Sequence, residues 1–364
     1  MQKAVLILLV IFSISCQKKV SEVNDTNNNR VTLLNQAADH IIKPSLLEAN
    51  ISAFKLQNAI TDFIANPTES NLQIAQGSWK EMATNWQNIN MFNFGPAGEM
   101  GIAKSLNEEA GTFPVNISKI ESYILAKDTS FNNFDRDARG LYAIEFLLFG
   151  LNQDLPEIIQ SYALNPFRSS YLKACVNKIY KQIDQVNQAW NSDYYNEFKA
   201  NAGTDIGSSI SLYYNEFLKS YEGLKNFKFG IPLGLRPGQT STAPEKVEAY
   251  YSQYSRELAK LHWIQLKNIW EGRGLDNQDG FGFKEYLAGI SGGNALIEST
   301  ELQMAAIDKA FDNLPQKPLS VSIQDNFETV NAVHTELQKH TRFFKSDLSS
   351  LVGIAITYSS GDGD

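Results

Sequence analysis

Cysteine and histidine are scarce in this chain, with two of the first and four of the second in 364 residues. With only Cys16 and Cys175, at most one bridge can form, so a small disulfide-stapled fold is excluded. The histidines, His40, His262, His334 and His340, are poor material for a metal centre. His334 and His340 are about 240° apart around a helix, so one helix cannot turn both to one ion. No His-Glu-x-x-His occurs. Gly272-Arg273-Gly274 lacks the preceding strand of a dinucleotide fold. The stretch from Leu275 to Gly280 imitates a calcium loop but has Leu275 at the first ligand position and Tyr286 where the bidentate glutamate belongs. Basic charge is also short. Lys and Arg total 32 against 40 Asp and Glu, a net charge of −8, which argues against nucleic acid as a partner and against flat adhesion to anionic lipid. Period-two alternation is absent as well, which removes the signal for a half-buried sheet.

What is present is helical periodicity. Leu72, Ala75, Trp79, Met82, Ala83 and Trp86 recur at the spacing of one helix face. Leu34, Ala38 and Ile41, then Leu47, Ile51 and Phe54, give another such run, with Pro44 placed to kink it or start its second part. Further helical runs are predicted at about 116 to 127, 137 to 149, 163 to 197, 203 to 224, 244 to 271, 293 to 313 and 321 to 350. Phe94-Gly95-Pro96 ends the tryptophan-bearing helix, and residues 229–238 form the longest Gly/Pro-rich loop. With 43% apolar residues and this length, the expectation is an all-α protein of two packed helical bundles, residues 31–155 and 156–364, divided where Gly150 and Pro156 interrupt the pattern.

The first residues speak to location. Lys3, the apolar run from Ala4 to Phe12 and Ser13-Ile14-Ser15-Cys16 resemble a bacterial lipoprotein signal: residues 1–15 would be removed and Cys16 would carry the lipid. Loss of Lys3 makes the remainder one unit more negative. The partner expected on this reading is the bacterial outer membrane, reached through lipid on Cys16, because Gln17 is not the aspartate that retains lipoproteins in many inner membranes. Residues 17–30, polar and rich in asparagine, read as a tether. Cys175, among Tyr171, Leu172, Ala174 and Val176, reads as a buried helix residue rather than a reactive thiol.

The most informative stretch is Gly140-Leu141-Tyr142-Ala143-Ile144-Glu145, followed by the apolar run to Phe149 and Gly150. Residues three apart share a helix face, so Tyr142 and Glu145 can present a phenol and a carboxylate to a common point. The structural alternative is a buried Glu145 hydrogen-bonded by Tyr142. The stretch resembles the Gly-x-His-x-x-Glu signature of the imelysin family of bacterial envelope proteins, with Tyr142 where the family has histidine. Phe92-Asn93-Phe94-Gly95-Pro96, Phe113-Pro114-Val115-Asn116, Pro232-Leu233-Gly234, the segment from Pro244 to Ser255 and the end from Gly353 to Asp364 are similar to family features in the same order.

The resemblance implies a two-domain helical protein. One family member is described as an insulin-cleaving metallopeptidase, and many relatives are linked to iron uptake without an established enzyme activity. Tyr142 replaces the residue a peptidase needs most, whereas phenolate and carboxylate are acceptable ferric ligands, so Tyr142 and Glu145 become the candidate metal residues and an iron ion the candidate cofactor. Glu248, Ser252 and Ser255, spaced four and three apart, would share a helix face that approaches Tyr142 and Glu145 between the bundles. The favoured expectation is a non-catalytic envelope lipoprotein of iron or related nutrient uptake, working with an envelope uptake system. The alternatives are a metallopeptidase and an interaction scaffold without a small ligand. The terminal Asp362-Gly363-Asp364 reads as a solvated acidic tail.

Overall fold

The stripe of Leu72, Ala75, Trp79, Met82, Ala83 and Trp86 becomes the buried face of a long helix and Leu34, Ala38 and Ile41 are buried too, whereas Leu47, Ile51 and Phe54 stay on the exposed side of theirs, beside buried Leu46, Ala53 and Leu56. A computed structural model describes residues 27–358, and every regular element among them is helical. Cys16, the signal, residues 17–26 and the tail at 361–364 lie outside the described residues. Residues 27–30, expected as the end of the tether, are already helical. Arg30 holds them in place, its Nε donating to the carbonyl of Ala202 at 2.7 Å.

The helices that matter here are α1 (Lys43–Ala65), α2 (Glu69–Ile89), α3 (Ile117–Ala126), α4 (Gly140–Phe149), α5 (Leu155–Leu164) and α6 (Phe167–Trp190). They continue with α7 (Asp193–Ala200), α8 (Ser209–Gly223), α9 (Ser255–Glu271), α10 (Gly293–Asp312), α11 (Leu319–Asp325) and α12 (Phe327–Arg342). Local signals set the ends. Thr68 caps α2 by accepting from the Asn71 amide, and Asp154 with Glu157 forms a capping box at α5. Pro44 stands in the first turn of α1, where the second part of the run starts, and a π-helical turn, Ala37–Ile42, carries the chain continuously into it. The wider turn accommodates a ring that has no N–H and would clash with the carbonyl four residues back.

Helices α1, α2, α4 and α6 pack on one another as a first bundle, and α8, α9, α10 and α12 build a second, joined to the first where α9 lies against α2. Helix α6 packs on both α1 and α4, and α7 packs on α6. Trp79 and Trp190 fill the first core, while Trp263 and Trp270 fill the second, and all four are fully buried. Each buried side chain of leucine size or larger stabilises by roughly 1.5–3 kcal/mol, so such stripes outweigh the modest helix propensity of the many asparagines and aromatics.

A second correction concerns the run from 244 to 271. Only its last part is an α-helix, since α9 begins at Ser255. Residues 244–246 form a 3-10 turn, and Ala249 and Gln253 take positive φ values of 53° and 56°, which a continuous helix forbids. Glu248 and Ser252 therefore stand on a folded connection, not on one helix face with Ser255.

Candidate functional site

Helix α4 is buried on every side from Gly140 to Leu148, so its polar side chains must find partners inside the protein. Its start is locked. Gly140 has φ +74°, and a Cβ there would come within 2.1 Å of the Ala110 carbonyl oxygen, the acceptor of the Leu141 amide at 2.7 Å. From α2, the Trp79 indole N–H donates to the Leu141 carbonyl at 2.8 Å. These constraints fix the rotation of α4 and aim Tyr142 and Glu145 at the connection before α9.

The two signature side chains do not meet each other. Tyr142 donates its hydroxyl to Glu248 Oε1 at 2.7 Å, while Glu145 Oε1 accepts from both the backbone amide and the hydroxyl of Ser252, each at 2.8 Å. The second oxygen of Glu248 is paired with Lys228 Nζ at 2.8 Å. Gln87 of α2 ties the group together: its amide donates to Glu248 Oε1 at 3.2 Å, and its carbonyl oxygen accepts from Lys228 at 2.6 Å. The chain of contacts runs on through Asn90, which donates to Gln87 at 3.2 Å, to Ser220, which donates to Asn90 at 3.0 Å and contacts His262 Nε2 at 2.7 Å. Five separate parts of the sequence, residues 87–90, 142–145, 220–228, 248–252 and His262, on both bundles, thus meet in one interior polar network.

Burial dictates its electrostatics. Glu145 is raised to about 8, chiefly by desolvation, against which the Ser252 donors work. Burial and the neighbouring Glu248 charge push the Tyr142 phenol well above its ordinary value, so it stays protonated. Desolvation lowers Lys228, with Glu248 opposing that shift. Burial, followed by the Lys228 charge, also drives His262 well below its usual range. Glu145 is therefore largely protonated at neutral pH, and Lys228 and Glu248 face each other as a buried ion pair.

Four of the five candidate residues, Tyr142, Glu145, Glu248 and Ser252, come together here. Ser255 is buried at the start of α9, but its hydroxyl makes no hydrogen bond and does not join them. His334 and His340 stand apart from this network, the first lowered to about 4 and the second to about 3 by burial.

The family described as Imelysin (Peptidase_M75) matches residues 42–342. The chain belongs to the imelysin family. Iron-regulated protein A of Synechococcus elongatus is 21% identical over 245 residues, 65% of this chain and 63% of the relative, so the chain spans less than two thirds of that protein's length. Among solved structures, the chain is similar to a Parabacteroides distasonis protein assigned as an iron-regulated protein A precursor, with TM-score 0.73 and 17% identity over 89% of this chain and 95% of the other. It is similar to an imelysin-like protein of Psychrobacter arcticum, with TM-score 0.72 and 16% identity over 91% and 98%. These likenesses show a shared fold.

Seen as an imelysin, the chain carries a signature whose donors are already engaged. The Tyr142 phenol is a donor rather than a phenolate, Glu145 is held by Ser252, and Glu248 is neutralised by an ammonium. No group of three or more His, Cys, Asp or Glu side chains suited to a metal occurs among the described residues. The donor set present at Tyr142 and Glu145 therefore does not fit an iron or zinc ion resting between them: a cation at Glu248 would have to displace Lys228 and overcome its repulsion. Sequence reasoning missed Gln87 and Lys228. Gln87 continues the face of Trp79 and Ala83 at four-residue intervals, a signal that was available. Lys228 gave none, because its burial depends on a π-helical turn, Leu224–Gly230.

Proposed function

We propose that this imelysin-family chain is a non-catalytic lipoprotein of the bacterial cell envelope that serves the uptake of iron or a related nutrient, anchored in the outer membrane through lipid on Cys16. In this reading the signature residues have become an internal clamp between the two bundles. The observation that carries it is the Lys228 ammonium, 2.8 Å from Glu248 and 2.6 Å from Gln87, at the centre of the network that Tyr142 enters. A peptidase of the imelysin type would need an open metal position there, with histidine at 142. The iron side of the reading is supported by similarity to proteins named for regulation by iron, and it concerns what the cell takes up rather than an ion lodged on Tyr142 and Glu145.

The test has two arms. The purified chain is equilibrated with ferric, ferrous and zinc ions, the bound metal is counted, and insulin is offered as substrate. The expected result is substoichiometric metal and intact insulin. Cleavage that a chelator abolishes would instead establish the metallopeptidase. In the second arm, a strain lacking the chain is grown under iron chelation, with the intact gene or Cys16→Ala returned to it. Impaired growth, rescued by the intact gene and poorly by Cys16→Ala, is expected; equal growth of all strains would remove the uptake role.

A further inference from the structure

A separate cleft opens on the surface where α4 ends. It measures about 360 Å³, within the range of small-ligand sites, and lies between the turn after α4, the connection before α9 and the start of α11. Two tyrosines, Tyr250 and Tyr251, contribute rings to it, set edge to face with centroids 5.5 Å apart. Four side-chain amides line it from three different segments: Asn152, Gln153, Gln253 and Gln324. None of the four makes a side-chain hydrogen bond with another described residue, so each brings uncommitted donors and an acceptor to one concavity. Asn152 and Gln253 are held at φ values of 55° and 56°, a left-handed conformation that is costly for glutamine and that concentrates at ligand sites.

The lining selects the ligand class. Glu245 is the one carboxylate and no Lys, Arg or His is among the residues lining the cleft, so an anion has nothing to pair with and a metal ion has a single charged ligand. A purely apolar ligand would strand the amides. No strand edge among the described residues offers itself to an extended peptide. A pyranose meets every requirement. Its C–H face packs on the electron-rich face of a tyrosine ring, and its hydroxyls both donate to and accept from amides.

We propose that this cleft binds a neutral saccharide, with Tyr250 as the stacking platform and Asn152, Gln153, Gln253 and Gln324 as the hydroxyl-reading groups. The proposal is independent of the role in iron uptake. Tyr251 links the cleft to the interior, because its ring meets Phe146 of α4 at 5.2 Å and the next residue, Ser252, donates to Glu145.

The test titrates the full chain calorimetrically with maltose, cellobiose and N,N′-diacetylchitobiose, using trialanine and citrate as the competing chemistries. At least one disaccharide should bind with a Kd of about 1 mM or tighter, a threshold typical of weak but specific recognition. Tyr250→Ala should weaken that binding about ten-fold or more. Gln324→Ala, an exposed change on a different element that cannot compromise folding, should weaken it about three-fold. Absence of binding by all three disaccharides would overturn the proposal. So would binding that both substitutions leave unchanged, or trialanine or citrate binding here in their place.

Discussion

Replacing Glu145 by glutamine should change how stability depends on pH more than it changes stability itself. Burial raises this carboxyl from 4.5 to about 8. A raised acid means that the folded state keeps a proton which the unfolded chain has released, so the contribution is fully present below about pH 4.5, falls as pH rises and is gone above about pH 8. Each unit inside that window is worth about 1.36 kcal/mol, and from pH 5.5 to pH 7.5 the native protein should therefore lose about 2–3 kcal/mol through this group alone. Glutamine has the volume of the protonated acid and cannot titrate. Urea unfolding of both proteins at several pH values, followed by tryptophan fluorescence, gives the difference in stability. That difference should drift by about 2–3 kcal/mol in favour of Glu145→Gln as pH rises over the two units. His262, His334 and His340, all lowered by burial, act in the opposite sense at lower pH but are common to both proteins and cancel. Parallel curves would refute the assignment and mean that Glu145 is ionised in the fold.

Lys228→Met should destabilise by about 3–5 kcal/mol in the same assay, since it leaves Glu248 buried without its cation, and Glu248→Gln in the same chain should restore most of the loss. Gly140→Ala should cost at least about 2 kcal/mol or prevent folding, because its φ of +74° is unsuited to a side chain and the Ala110 carbonyl blocks the methyl group. Burial pushes the Cys175 thiol up to about 12, so iodoacetamide at pH 8 should leave it unmodified in the native protein and alkylate it in urea, as read by mass spectrometry.

Although Leu47, Ile51 and Phe54 repeat at helical spacing and stay exposed, the helices were legible where an apolar stripe repeated and was buried. Trp79 and Trp86 on α2 and the apolar run of α4 are such cases, and both are interior in the fold. The signature pair was legible as a location but not as a pair. A shared helix face brings Tyr142 and Glu145 near each other, yet each hydrogen bond went to a partner more than 100 residues away, Glu248 for the phenol and Ser252 for the carboxylate. Spacing also misread how those partners are carried. Positive φ at Ala249 and Gln253 is invisible in an otherwise helix-compatible sequence, yet it folds the connection that delivers Glu248 and Ser252. Lys228 was beyond reach for a different reason: a lysine is ordinarily a surface residue, and only the local backbone geometry turns this one inward.

That geometry makes chain length, rather than residue type, the sensitive variable in one short stretch. In the π-helical turn Leu224–Gly230, the Ile231 amide donates to the Asn226 carbonyl, five residues back, at 2.8 Å. An ordinary α-helical register fits one fewer residue into the same turn, and each residue advances the phase by about 100°. A single codon lost between Leu224 and Lys228 would let the helix relax into that register and swing the ammonium away from Glu248. A conservative deletion in a region with no catalytic residue would then act as a charge mutation in the centre of the protein, and a compensating insertion one turn away would repair it without restoring the original sequence.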